Sequence, residues 1–122
     1  MEKKAPAGDG AENRLRPRQR VRHPSRMTPE QLQDKLAQLP GWMRDGEAIR
    51  KQFVFDGFAS AVAFVVRVAF DAEAADHHPD ILISNYRKVT LTFTTHSAGG
   101  LTEKDLAGAE RAERVFGEAR QP

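Results

Sequence analysis

The sequence predicts an α+β fold, a two-layer sandwich in which a four-stranded antiparallel sheet carries helices packed on one face, in the order α-β-β-α-β-β-α. Three observations predict it. Apolar residues recur at helical spacing near residue 32, between 58 and 69 and again after 105, whereas around 49–55 and 89–93 they alternate at strand spacing. Turn signals separate the members of each strand pair, at Asp45-Gly46 and at Asn85-Tyr86. Hairpins that alternate with helices feed those helices back to one face of the sheet.

The first helix begins in "MTPEQLQDKLAQL". Thr28 is placed to cap it, Pro29 suits the first helical position, and Gln31 completes a capping box, with Leu32, Leu36 and Leu39 on one face. The first hairpin turns at Asp45-Gly46 and continues into "AIRKQFVF", where Ile49, Lys51, Phe53 and Phe55 alternate with Arg50, Gln52 and Val54. Asp56 is the expected cap of a long second helix, in which Phe58, Ala61, Val62, Val65 and Ala69 share a face opposite Ser60, Arg67 and Asp71, and which ends near Ala75. "ILIS" and "KVTLTFTTH" form the second strand pair, with Val89, Leu91 and Phe93 on one face and Thr90, Thr92 and Thr94 on the other. After "SAGG", Thr102 and Asp105 are spaced as a capping box for the last helix, whose Leu106, Ala109, Ala112 and Phe116 point inward.

The chain has 122 residues, which bounds it to one domain with a thin core. Its 39% hydrophobic and 30% charged residues place it among soluble globular proteins, and no uncharged apolar stretch of about 18 residues is present to cross a bilayer. No cysteine is present, which excludes disulfides and thiolate metal sites and leaves the cytoplasm as the expected compartment. The charge is divided unequally. Residues 1–27 carry eight Lys/Arg against three Asp/Glu, whereas residues 28–122 carry eleven against fourteen. The stretch "RLRPRQRVRHPSR" has no aromatic residues for base stacking, which argues against nucleic acid as a partner. Low hydrophobicity, high charge and interspersed prolines predict a disordered basic tail over 1–27, followed by one domain over 28–122.

Two of the four histidines stand together in "EAADHHPD", at residues 73–80. Neither a strand nor a helix directs adjacent side chains to one place, but His77 and His78 fall in a helix-to-strand connection, and Pro79 forces His78 toward extended geometry. His96 is expected at the end of a strand, before a Gly-Gly loop, a position from which a rigid scaffold presents side chains to ligands. Three imidazoles suit acid–base chemistry near neutral pH, where one ring donates a proton while another accepts one. Two other uses stay open on these residues alone: capping of a helix C-terminus by His, and a zinc site with three His ligands.

The combination "EAADHHPD", then "Y" and "V" at a strand start, then "TTHSAGGLTEKD", resembles the pterin-4a-carbinolamine dehydratase family, also known as 4a-hydroxytetrahydrobiopterin dehydratase. The likeness extends upstream through "GW", "IRKQFVFDGF" and the apolar helix, covering roughly residues 28–118. It implies the α+β layout already inferred, no metal, no organic cofactor, and dehydration of a 4a-hydroxytetrahydropterin to the quinonoid dihydropterin, which recycles the cofactor of aromatic amino-acid hydroxylases. The family's three active-site histidines fall on His77, His78 and His96. The resemblance makes His77 and His96 the acid–base groups and His78 the residue that positions the pterin. It further places Asp76, Thr94, Thr95 and Ser97 against the substrate, with Glu73 and Asp105 as acids of the site that orient an imidazole or contact the pterin ring, while Trp42 matches a family tryptophan that packing alone would explain.

Animal members of this family also serve as dimerisation partners of a transcription factor, so a non-catalytic coactivator module is the main alternative, and a role in another pterin pathway, such as that of the molybdenum cofactor, is the alternative among enzymes. A homodimer or homotetramer is expected, because an open sheet leaves two edges unpaired and because Phe64 and Phe70 lie off the main apolar face of the long helix. The resemblance implies the same. "DILISNYRKV" is one residue longer than the family pattern, which implies a bulge or a lengthened turn.

Overall fold

A computed structural model of the protein describes residues 25–119. The helices are α1 (Pro29–Leu36), α2 (Phe58–Ala75) and α3 (Glu103–Ala119), and the strands are β1 (Met43–Asp45), β2 (Ala48–Val54), β3 (Asp80–Ser84) and β4 (Lys88–Phe93). All strand pairs are antiparallel, in the order β1-β2-β4-β3. The architecture is therefore the α+β sandwich expected. The predicted tail lies outside the described residues up to 24, but pairing with the core starts before Thr28: the Met27 N–H donates to the Leu101 carbonyl at 2.9 Å, and Met27 packs against the core. Among the described residues no helix is long and apolar enough to cross a membrane.

Local chemistry accounts for most element boundaries. Thr28 and Gln31 form the reciprocal capping box of α1, with Pro29 at its start. Gly46, at a φ of 63°, turns the chain between β1 and β2 in the left-handed region that glycine enters without a Cβ penalty. In β4 the residues alternate strictly, so that Val89, Leu91 and Phe93 are buried while the intervening Lys88, Thr90 and Thr92 are half-buried on the other face. Phe53 of β2 sits at the middle of an aromatic cluster, with ring centroids 4.9 Å from Phe64 and 5.0 Å from Phe116. Trp42 is buried and donates its Nε1–H to Glu113 of α3 at 2.8 Å, and Lys51 meets the same carboxylate at 2.6 Å. Its role here is packing and anchorage.

Two expectations are corrected. Asp56 does not cap α2, because the cap position falls one residue later on Gly57, with no side-chain hydrogen bond. The buried face of α2 is Ala61, Phe64, Val68 and Ala72, while Phe58 is exposed. The stripe of Ser60, Arg67 and Asp71 is flanked by apolar residues on both sides, so it does not by itself fix the rotation of the helix, and contact with the sheet fixes it instead. Phe64 is thus a core residue, whereas Phe70 is 73% exposed. Of the bulge or lengthened turn expected in the second hairpin, the structure has the turn: pairing runs unbroken from Asp80↔Thr92 to Ser84↔Lys88, and the length is taken up in a three-residue turn, where Asn85 and Tyr86 adopt φ of 48° and 52°.

Candidate active site

Asp76, His77, His78, Thr94, Thr95, His96, Ser97 and Lys104 line one solvent-open cavity of about 270 Å3. It lies where the end of α2, the end of β4 and the first turn of α3 meet. Each wall has a local cause. At the end of α2, Asp76 takes the left-handed conformation, with φ 53° and ψ 43°, which Asp tolerates better than most residues. The turn is completed by a bond from the His77 N–H to the Ala72 carbonyl, a Schellman-type closure, and Pro79 prevents the helix from resuming. The chain therefore reverses at the point where it delivers two imidazoles.

His77 is the anchored member of the pair. Its Nε2 lies 2.7 Å from Oδ1 of Asp105, a carboxylate with no solvent exposure. The other oxygen, Oδ2, accepts the Thr95 hydroxyl at 2.8 Å and the Thr102 backbone N–H at 2.9 Å. With its own proton spent on Asp105, Thr95 accepts from the Thr102 hydroxyl at 2.8 Å, and Thr102 Oγ1 accepts in turn from the Lys104 N–H. The Thr95 hydroxyl and the Thr102 N–H thus donate to Asp105 directly, and the Thr102 hydroxyl and the Lys104 N–H extend the chain behind them. An ionised carboxylate has no proton to give, so the neutral His77 ring carries its hydrogen on Nε2 and keeps a lone pair on Nδ1. Phe93 covers one face of this ring, near-parallel at 18° with centroids 5.9 Å apart.

The other two histidines are freer. His78 is exposed and its Nε2 lies 3.0 Å from Oε1 of Glu73, one helical turn back on α2. His96 does not end a strand: β4 stops at Phe93, and His96 opens a short 3-10 turn, His96–Ala98. That turn sits in a loop closed by paired bonds between the backbones of Thr95 and Gly100, each 3.3 Å. Departure from the sheet leaves the His96 ring exposed at the rim.

The structure thus brings seven of the nine expected site residues to the cavity wall, and it sets the other two, Glu73 and Asp105, behind His78 and His77 respectively. Thr94 uses its hydroxyl to reach the Glu47 carbonyl at 2.6 Å, so one of its polar atoms holds the β1–β2 hairpin. Lys104 was not singled out in the sequence, where it reads as a solvated residue on the first turn of α3. Among the described residues, no group of three or more His, Asp or Glu side chains is arranged to hold a metal ion.

Residues 25–115 match the family model described as pterin 4 alpha carbinolamine dehydratase. The chain belongs to this family. A relative from Roseiflexus sp. (strain RS-1), provisionally named pterin-4-alpha-carbinolamine dehydratase, is 52% identical over 92 residues, which cover 75% of this chain and 98% of the relative. A counterpart in Mycobacteroides abscessus with the same provisional name is 46% identical over 91 residues, covering 75% and 96%. Among solved structures, the chain is similar to a transcriptional coactivator/pterin dehydratase from Brucella melitensis, with a TM-score of 0.71, 34% identity, and coverage of 75% of this chain and 98% of that one. It also resembles a pterin dehydratase-like protein identified as a RuBisCO assembly factor in the alpha-carboxysome, with a TM-score of 0.54, 26% identity, and coverage of 63% and 90%. Members of this dehydratase family thus share the fold with proteins described by different roles.

Proposed function

We propose that the protein dehydrates a 4a-hydroxytetrahydropterin to the quinonoid dihydropterin, returning the pterin cofactor of an aromatic amino-acid hydroxylase to its cycle. The observation that carries this reading is the His77–Asp105 pair at the wall of a cavity that His78 and His96 also line. The reaction breaks the C4a–O bond and the N5–H bond and forms a C4a=N5 double bond, with release of water and no change of oxidation level. It needs one proton delivered to the departing oxygen and one removed from N5. Nitrogen lone-pair assistance already weakens the C–O bond, so proton transfer worth about 10²- to 10⁴-fold is a reasonable demand on imidazoles.

In this reading His77 and His96 are the acid–base groups. The Nδ1 lone pair of His77 is held by Asp105 in a fixed orientation, which suits a base, and the exposed ring of His96 can exchange its proton with solvent between turnovers. His78 positions the pterin, assisted by Asp76, Thr94, Thr95 and Ser97, while Glu73 and Asp105 orient their histidines. The cavity of about 270 Å3 lies near the small end of small-molecule sites, roughly 300 to 1,000 Å3, as befits a bicyclic ring. The unit that carries the chemistry begins near residue 25, where the family match starts, with a basic segment appended before it, and the cysteine-free chain is assigned to the cytoplasm.

The deciding experiment is a dehydratase assay with chemically generated 4a-hydroxytetrahydropterin, comparing the protein with its uncatalysed background. Acceleration that is lost in a folded His77→Ala/His96→Ala variant supports the reading. A chain that binds pterin or a partner protein without accelerating dehydration would favour a binding module, the reading toward which the coactivator and assembly-factor descriptions of the two solved neighbours lean.

A further inference from the structure

His77 is fixed along its edge by Asp105, but a single hydrogen bond leaves a ring free to tilt about that bond. The tilt is limited by Phe93, whose buried ring lies almost parallel to the imidazole at 18°, with centroids 5.9 Å apart. Phe93 is in turn limited by α3. A Cβ built on Gly108 would come 2.5 Å from Cε1, 2.8 Å from Cζ and 2.9 Å from Cδ1 of the Phe93 ring, closer than such atoms can approach. Those contacts are with the body of a packed aromatic ring, so they cannot be relieved by swinging a flexible side-chain tip. Gly108 lies three residues beyond Asp105, on the same face of α3. One helical turn therefore supplies both the carboxylate that meets the edge of His77 and the gap that admits the ring beneath it.

We infer that Phe93 is a positioning residue for His77 and that Gly108 is the glycine that permits it. Neither residue touches the cavity. Both act through the orientation of the imidazole, and this inference rests on the acid–base role proposed for His77. Reacting atoms must sit within a few tenths of an ångström of their working geometry, and displacement by about 1 Å can cost about 10²-fold in rate.

Three variants test this: Phe93→Leu, Gly108→Ala and the double variant, in which the added methyl group fills part of the space that the smaller strand residue vacates. Each is measured for thermal stability, for kcat and KM, and for the ring-proton resonances of His77, assigned by comparison with His77→Ala. Both single variants should lower kcat about 10- to 100-fold with a smaller change in KM. The double variant should regain stability but not kcat, and the His77 resonances should lose the ring-current displacement from Phe93 whenever the aromatic ring is absent. A merely structural role predicts otherwise. Recovery of wild-type kcat along with stability in the double variant, or His77 resonances indifferent to Phe93→Leu, would overturn the inference. If Gly108→Ala does not fold, Phe93→Leu and the double variant carry the comparison. Should the wild-type chain fail to dehydrate the pterin, the functional reading alone falls, and the His77 resonances decide the positioning role by themselves.

Discussion

Asp105 is bonded through one oxygen to His77 and through the other to Thr95 and Thr102, so a single buried carboxylate ties the HisHis turn after α2 to the loop that carries His96. It also receives the N–H just before α3, which makes it a helix cap. On the function proposed, structure and chemistry share this residue.

Replacement of Asp105 separates the two duties. Asp105→Ala leaves a buried hydroxyl and a buried N–H without their acceptor, and should cost about 2 to 4 kcal/mol of stability as well as activity. Asp105→Asn has the same shape, but its NH2 must face at least one donor, so the ring of His77 loses its enforced tautomer. We expect a folded protein whose kcat falls by about 10² or more. Thermal melts read against steady-state rates separate the effects, and an Asn variant with wild-type turnover would remove Asp105 from the mechanism.

The histidines should divide by kinetic parameter. His77→Ala and His96→Ala should each lower kcat by about 10²- to 10⁴-fold, with circular dichroism unchanged, and the double variant should approach the uncatalysed rate. His78 is exposed and, among the described residues, paired with Glu73, so His78→Ala should raise KM more than it lowers kcat. Turnover by the double variant at the wild-type rate would end the acid–base assignment.

Much of this arrangement was legible because local signals agreed with one another. Thr28 and Gln31 named the start of α1, Asp45-Gly46 named the first turn, and the Val89, Leu91 and Phe93 alternation named the buried face of β4. The spacing of Thr102 and Asp105 announced a cap, but not that the same carboxylate reaches back 28 residues to His77. The rotation of α2 was illegible because Phe58, Phe64 and Phe70 look alike in an apolar helix, and only tertiary contact buries the second and leaves the others exposed. The 3-10 turn at His96 and the fit of Gly108 to Phe93 depend on where the chain passes after β4, which no window of residues encodes.

Truncation at the N-terminus should show a sharp limit. Residues 1–24 carry charge and proline without apolar periodicity, and a chain that starts at residue 25 should keep the melting temperature and kcat of the full protein. Removal through Met27 deletes its bond to the Leu101 carbonyl and its packing against the core, and should cost about 1 to 2 kcal/mol. A large loss of activity in the first truncation would mean that the basic segment closes the site.

Self-association is the last expectation, and it rests on what the described residues leave uncovered. β3 lies at one edge of the sheet, bonded to β4 on one side only, and presents Ile81 and the 59%-exposed Leu82. An edge strand of this kind carries unpaired N–H and C=O groups beside apolar side chains, a combination that invites pairing unless charge, proline or a bulge blocks it. No bulge interrupts β3, and Asp80 at its start is its only charged residue. On α2, Phe70 adds a second exposed ring, although Phe64 no longer supports the argument because it belongs to the core. Two-fold pairing of β3 with its copy would extend the sheet to eight strands and cover the edge, and closed two-fold symmetry is the commonest solution for identical chains. Light scattering from micromolar to millimolar protein should therefore give a dimer mass, or a tetramer if Phe70 forms a second contact. Leu82→Lys should shift that mass toward the monomer at the low end of the range, while Phe70→Ser should remove only the tetramer. A monomer at every concentration, with full dehydratase activity, would mean that the β3 edge stays unpaired in solution and that nothing in the chemistry depends on a second copy.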